Sequence, residues 1–191
     1  MLNYNELKKG TIFVLDGDPY EVLEYEFLRM QQRKPVSKTK IKNLMTGKIT
    51  EKSFHSSESF DEADIEKKPI KYLYNNKGEY WFSEINDPSK RFSLKDELVG
   101  IPGKFLKANT EVKAVKFGER FVTIEVPIKV DLKVKDAPPG FKGDTATGGS
   151  KQITLETGAT VNAPLFVNTG DIVRVNTETG EYFERVEKGK E

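Results

Sequence analysis

The sequence predicts an all-β protein built as three small barrels in series. Apolar and polar residues alternate in many short runs, and this period of two is typical of strands. Turn signals rich in Gly, Asn, Asp and Pro separate the runs at intervals of roughly 8–12 residues, as in small barrels. The chain has 191 residues, of which 36% are hydrophobic, and this low apolar fraction favours several small cores over one large core.

The first predicted barrel spans residues 1–64. Its β-rich run at residues 11–15 stops at the turn signal Asp16-Gly17-Asp18-Pro19 and resumes at residues 20–28. Residues 36–44 form a further predicted strand. These runs predict a small antiparallel barrel or sheet.

The second predicted barrel spans residues 65–127. Asn75-Asn76-Lys77-Gly78 separates two aromatic-rich runs and is a hairpin signal. Ser93-Leu94-Lys95-Asp96 resembles a helix-capping pattern and predicts a short helix that extends toward Val99. Gly100 and Pro102 would end that helix.

The third predicted barrel spans residues 128–191. Residues 128–134 alternate cleanly, and a loop rich in Gly, Pro and Thr follows. Short strands are predicted at residues 152–155, 159–161 and 165–167. A last hairpin turns through residues 176–180.

Charge is distributed unevenly behind a balanced total. The chain has 31 basic and 30 acidic side chains, which excludes a uniformly basic nucleic-acid coat. Residues 27–52 nevertheless hold eight bases and one acid. Charge alone leaves two interpretations open, a solvated strand face or a phosphate-binding surface.

The basic segment contains a candidate RNA-binding face and a candidate tip. Lys38, Lys40 and Lys42 stand at every second position of a predicted strand, so they share one face. Arg29 lies before the tip, which separates two β-runs and is formed by Met30, Gln31, Gln32, Arg33 and Lys34. Long cationic and amide side chains at such a tip favour RNA contact over a plain solvated hairpin.

A glycine-rich loop is the second candidate. It contains Gly143, Asp144, Thr145, Ala146, Thr147, Gly148 and Gly149. A Walker phosphate loop is excluded, because Gly149 occupies the position that needs Lys and a strand follows. Exposed N–H groups and small hydroxyls suit contact with a phosphodiester backbone, while a plain flexible turn stays the alternative.

Catalytic and metal chemistry are poorly supported. His55 is the only histidine, and its neighbours Ser56 and Ser57 would not form a dyad with it, because adjacent side chains of a strand point to opposite faces. The chain has no cysteine, which excludes disulfides and thiolate metal sites. We therefore expect no enzyme activity, no cofactor and no metal. No apolar run approaches the roughly 18 residues of a membrane span, and the N-terminus lacks a secretory signal.

Long motifs carry a resemblance to a known family. They are Pro139-Gly140-Phe141-Lys142-Gly143-Asp144-Thr145-Ala146-Thr147-Gly148-Gly149-Ser150-Lys151, Leu155-Glu156-Thr157-Gly158-Ala159, Val161-Asn162-Ala163-Pro164-Leu165-Phe166 and Thr179-Gly180-Glu181-Tyr182. Near the start stand Leu7-Lys8-Lys9-Gly10, Gly17-Asp18-Pro19-Tyr20 and Lys40-Ile41-Lys42-Asn43-Leu44. With these motifs the whole chain resembles the bacterial elongation factor P family and, more distantly, initiation factor five A.

The resemblance implies a fold and a function. It implies an SH3/KOW-like barrel at 1–64 and OB-fold barrels at 65–127 and 128–191. It implies a cytoplasmic, monomeric elongation factor that binds the 70S ribosome between the P and E sites, and that promotes peptide-bond formation at stalled polyproline sequences by positioning. The implied partners are P-site tRNA, rRNA of both subunits and the E-site mRNA codon, with no membrane.

The resemblance also implies roles for the candidate residues. The tip would reach the acceptor end of the tRNA, and the loop 143–149 would lie near the small subunit and mRNA. Arg29, Lys38, Lys40 and Lys42 would contact tRNA or rRNA backbone. The family commonly carries a modifiable Lys at the tip, where ungapped alignment places Gln32, so we expect an unmodified tip. Arg33 or Lys34 would take that position only if the register of the loop shifted by one or two residues.

A different class of function stays open beside this one. A non-ribosomal OB-fold protein could bind single-stranded nucleic acid by stacking bases on aromatic side chains. The candidates for stacking are Tyr72, Tyr74, Tyr80 and Trp81. Ribosome co-sedimentation and affinity for free oligonucleotides would distinguish the two. A small-molecule enzyme ranks third.

Overall fold

The computed structural model describes residues 1–29, 35–139 and 149–189. In these ranges the strands form three sheets, and helix is confined to two short segments. The predicted all-β fold with three strand assemblies in series is confirmed. The chain divides into two compact units, residues 1–68 with 114–124, and residues 69–113 with 125–191. None of the helices in the described ranges is long and apolar enough to cross a membrane.

The first sheet has the strand order β1-β6-β2-β3-β4-β5. Its strands are β1 (Leu2–Asn3), β2 (Ile12–Leu15), β3 (Asp18–Leu28), β4 (Val36–Asn43), β5 (Ile49–His55) and β6 (Ser59–Glu62). Asp16 and Gly17 link β2 to β3 with φ angles of 54° and 88°, the conformation that a two-residue Asp-Gly hairpin turn requires. The turn predicted from Asp16-Gly17 is therefore present.

Three phenylalanines form the centre of the first core. Phe13, Phe54 and Phe60 pack edge to face, with ring centroids 4.7–5.8 Å apart. Leu7, Val22 and Ile41 complete this buried cluster. Each aromatic pair adds about 0.5–1.5 kcal/mol beyond the burial of its area, so a small barrel gains a stable core from few residues.

The second sheet has the order β11-β10-β7-β8-β9. Its strands are β7 (Ile65–Asn76), β8 (Glu79–Glu84), β9 (Arg91–Lys95), β10 (Glu111–Phe117) and β11 (Arg120–Glu125). Lys77 and Gly78 form the β7–β8 turn with φ angles of 51° and 80°. The predicted hairpin is present, with a tighter turn than the four-residue signal indicated.

The predicted short helix is present but begins later than its capping pattern. Helix α1 spans Asp96–Val99, and its N-cap residue Lys95 makes no side-chain cap hydrogen bond. Ser93 instead belongs to strand β9, where it pairs with Trp81. The strand ladder thus overrides the local capping signal. A 3-10 helix at Ile101–Phe105 follows.

The third sheet has the order β14-β13-β12-β15-β16. Its strands are β12 (Lys129–Asp136), β13 (Ser150–Leu155), β14 (Thr160–Pro164), β15 (Ile172–Asn176) and β16 (Glu181–Glu187). The strand predicted at 165–167 is absent, because β14 ends at Pro164 and a turn follows. Val, Leu, Ile and Ala side chains from these strands form most of the core.

Candidate RNA-binding surfaces

Strand β4 presents the predicted lysine face to solvent. Ser37, Thr39 and Ile41 point inward and are at most 2% exposed. Lys38 is exposed, and Lys40 and Lys42 are partly exposed on the opposite side of the strand. The alternation of a strand therefore brings the three ammonium groups to one face.

Acidic side chains from the neighbouring strand interleave with these lysines. On β3, Glu21, Glu24 and Glu26 lie opposite Lys42, Lys40 and Lys38, in that order. Lys40 Nζ donates to Glu24 Oε1 at 3.0 Å, and Glu51 of β5 faces Lys40 from the other side. The face is therefore mixed in charge. The charge count over residues 27–52 does not include the three glutamates of β3, because they lie just before that window.

The carboxylates also set the acidity of the lysines. The hydrogen bond to Glu24, with the charge of that carboxylate, raises the pKa of Lys40. Burial lowers the pKa of Lys42, and Glu21 opposes that effect in part. A phosphate that binds here must compete with Glu24 for Lys40, so the surface is weaker than its three lysines suggest.

The predicted tip connects the ends of β3 and β4. Leu28 and Val36 are the last pair in register before it, and Arg29 is exposed. Met30, Gln31, Gln32, Arg33 and Lys34 lie outside the described residues.

The predicted glycine-rich loop falls largely outside the described residues, which resume at Gly149. Gly149 is exposed, and a Cβ atom added to it would lie 3.1 Å from Leu165 Cδ1. Lys151 Nζ donates to the carbonyl oxygen of Pro138 at 2.9 Å. The two flanks of segment 140–148 are thereby held together. Gly143, Asp144, Thr145, Ala146, Thr147 and Gly148 lie outside the described ranges.

His55 ends strand β5 and is exposed. Its backbone N–H donates to Glu58 Oε2 at 2.6 Å. Among the described residues, no three His, Asp or Glu side chains gather closely enough to hold a metal ion.

The structure sorts the predicted stacking aromatics into two pairs. Tyr72 and Tyr80 are only 7% and 5% exposed, because they face the core of the second sheet. Burial, with the nearby Asp96 carboxylate, raises the pKa of Tyr80 to about 12. Tyr74 and Trp81 lie in register on the outer face. The prediction that Tyr72 and Tyr80 offer stacking surfaces is therefore wrong.

Comparison with known proteins finds family models that match the two ends of the chain and relatives that align with nearly its whole length. A family model described as the elongation factor P KOW-like domain matches residues 3–60, and one described as the elongation factor P C-terminal domain matches residues 130–185.

Relatives named elongation factor P cover nearly the whole chain. The protein from Thermodesulfovibrio yellowstonii is 37% identical over 188 residues, 98% of this chain and 100% of its own length. Those from Acetivibrio thermocellus and a Thermoanaerobacter species are 40% and 41% identical, and each aligns with 97% of this chain over its own full length.

A solved structure titled eukaryotic translation initiation factor 5A from Methanococcus jannaschii is also similar. It has a TM-score of 0.46 and 13% identity, covering 65% of this chain and 92% of its own.

Proposed function

The chain belongs to the elongation factor P family, and from this premise we propose that it binds the ribosome between the P and E sites. There it contacts P-site tRNA and promotes peptide-bond formation at stalled polyproline sequences. The observation that carries the proposal is that relatives named elongation factor P align with 97–98% of the chain. Family membership supports a role in translation elongation.

The proposed mechanism is positioning. The proline ring fixes φ near −65° and removes the N–H, so proline is a restricted participant in peptide-bond formation. Holding the P-site tRNA in a productive geometry lowers the barrier without a proton-transfer group. A chain with one histidine, exposed at a strand end, is compatible with such a mechanism.

We assign the RNA contacts as follows. The tip contacts the tRNA acceptor end through Met30, Gln31, Gln32, Arg33 and Lys34. The tRNA or rRNA backbone is bound by Arg29, Lys38, Lys40 and Lys42. Residues 143–149 contact the small subunit and mRNA. We also propose domain bounds of 1–64, 65–127 and 128–191. The protein acts as a cytoplasmic monomer.

The lysine face is tested by removing its charges. Each phosphate contact contributes about 0.7–0.9 to the slope of log affinity against log salt. Lys38→Ala/Lys40→Ala/Lys42→Ala should therefore weaken ribosome co-sedimentation and flatten that slope by up to about 2.7. Protein synthesis from a polyproline reporter should fall together with ribosome binding. The reciprocal variant Glu21→Gln/Glu24→Gln/Glu26→Gln removes competing carboxylates and should strengthen binding.

The matched control removes three lysines elsewhere. Lys90, Lys113 and Lys135 are all exposed, and Lys90→Ala/Lys113→Ala/Lys135→Ala lowers the net charge equally. It should change binding much less than the β4 variant. Equal losses in both variants would show a general charge effect and contradict the assigned face.

The tip assignment is tested by mass. Since Gln32 offers no amine for conjugation, the intact mass of the protein from its own host should equal that of the encoded chain. Gln32→Ala should then reduce polyproline synthesis by removing an amide donor, with the fold unchanged. A conjugate on Lys34 would refute the unmodified tip.

A further inference from the structure

The outer face of strands β7, β8 and β9 is organised in three rows of side chains. The strand register gives the rows Asn76–Glu79–Lys95, Tyr74–Trp81–Ser93 and Lys71–Ser83–Arg91. Neighbouring strands lie about 4.8 Å apart, and successive rows on one face about 7 Å apart. The face is therefore an ordered patch with an aromatic middle row.

The aromatic row forms a platform of two nearly parallel rings. The Tyr74 and Trp81 rings stack with their centroids 6.2 Å apart and their planes 23° from parallel. Tyr74 is 46% exposed although it is large and partly apolar. On the opposite face of the sheet, Tyr72, Tyr80 and Phe82 are buried, and the Tyr72 ring packs against the other two. The strands that hold the platform are thus anchored from below.

Cations border the platform on both sides. Lys71 and Arg91 stand in one adjacent row and Lys95 in the other, against the single carboxylate of Glu79 among these nine positions. Arg91 and Lys95 are exposed. This patch is more clearly positive than the lysine face of β4, where three carboxylates oppose three lysines. Its charge is complementary to a phosphodiester chain.

We propose that this patch, Tyr74 and Trp81 bordered by Lys71, Arg91 and Lys95, binds an unpaired segment of RNA. A base stacks on the aromatic row, and the flanking phosphates meet the cations. Aromatic platforms in positively charged grooves are how OB folds hold single strands, on the face that includes their second and third strands. A duplex presents its bases stacked inside the helix, so it offers no free base to the rings.

The inference does not rest on the proposed function. The ribosomal contacts proposed above use the tip, strand β4 and the loop 143–149, which share no residue with this patch. Free RNA is a sufficient probe. Failure of ribosome binding by the β4 variant would leave this proposal intact. Failure of RNA binding at this patch would likewise leave the proposed ribosomal contacts intact.

Trp81 makes the test direct because it is the only tryptophan in the chain. Tryptophan fluorescence of the full-length protein is titrated with hexauridylate, hexaadenylate and a blunt RNA duplex. The single strands should quench it saturably, and the duplex much less. Absence of quenching by both hexamers at millimolar concentration, even if whole ribosomes quench, would overturn the assignment to RNA.

Variants locate the site. Stacking of one base is worth about a fivefold to hundredfold change in affinity, so Tyr74→Ala should weaken the hexamers by at least fivefold. Tyr74→Phe keeps the ring and should restore binding. Phe183 is 52% exposed with Lys129 Nζ 3.3 Å from its ring centroid, which makes Phe183→Ala a matched control.

Arg91→Ala should flatten the salt slope by about 0.7 if it removes one phosphate contact of a single strand. Equal losses in Tyr74→Ala and Phe183→Ala, or an unchanged slope in Arg91→Ala, would count against the patch.

Discussion

Asp171 shows how one side chain stabilises the third sheet. It is 1% exposed, and its carboxylate accepts hydrogen bonds from the Asn168 N–H at 3.0 Å, the Gly189 N–H at 2.8 Å and Arg185 Nη1 at 3.2 Å. Burial alone would raise its pKa, but the two backbone donors and the guanidinium outweigh burial and lower the pKa below the usual value. The carboxylate is therefore stabilised in its charged form.

We expect Asp171→Asn to lower the free energy of unfolding by about 2–4 kcal/mol, because it breaks a largely buried, charge-assisted network. The lowered pKa also sets the pH dependence. This stabilisation is complete above the unfolded pKa of about 4 and is lost as pH falls through the lower folded value. Because Asp171→Asn lacks this carboxylate, its free energy of unfolding, measured by urea titration, should fall less below about pH 4 than that of the unsubstituted protein.

Asp131 provides the control for that variant. Its carboxylate accepts two hydrogen bonds from Arg174, at 2.7 and 3.0 Å, but its side chain is 41% exposed. Asp131→Asn should therefore cost much less than Asp171→Asn, since water screens an exposed pair. Equal losses would mean that burial is not what makes Asp171 important.

At the scale of the element, the sequence predicts strands and turns better than the direction of individual side chains. Strict alternation would put Tyr72 and Tyr74 on the same face of β7. The register shifts between them instead, so Tyr72 pairs with buried Phe82 and Tyr74 pairs with Trp81 on the outer face. A bulge inserts one residue and reverses the pattern beyond it. No local sequence signal at Leu73 predicts this bulge.

The mixed charge of the lysine face on β4 also depends on strand register. Alternation within one strand correctly predicts that Lys38, Lys40 and Lys42 share a face. Which residues of β3 oppose them depends on the register, and the pairing with β4 shifts between Val22 and Glu24. Charges on two strands become neighbours only after pairing, so a count along the chain cannot predict their balance.

At the scale of the whole molecule, local patterns predict that there are three sheets but not which residues share a core. Leu44, inside the first predicted barrel, is buried with Val115 and Val122, and Ile65 packs against the same cluster. Val115 and Val122 lie inside the predicted second barrel, whose boundary at residue 65 stays a prediction. Contacts between residues 70 or more positions apart leave no periodic trace in the sequence.

This shared core leads to a prediction about cooperativity within the unit formed by residues 1–68 and 114–124. Val122 is 1% exposed, and we expect Val122→Ala to cost about 1.5–3 kcal/mol by leaving a cavity. The Leu44 amide donates to the carbonyl oxygen of Pro19 at 2.9 Å. In Val122→Ala, hydrogen exchange of the Leu44 amide should accelerate, because openings that expose this amide become more frequent.

The control variant is Val175→Ala, in the core of the third sheet. It should accelerate hydrogen exchange in the third sheet and leave the Leu44 amide protected. An unchanged Leu44 rate in Val122→Ala would show that residues 1–64 are stable without this core, as a self-sufficient first domain would be.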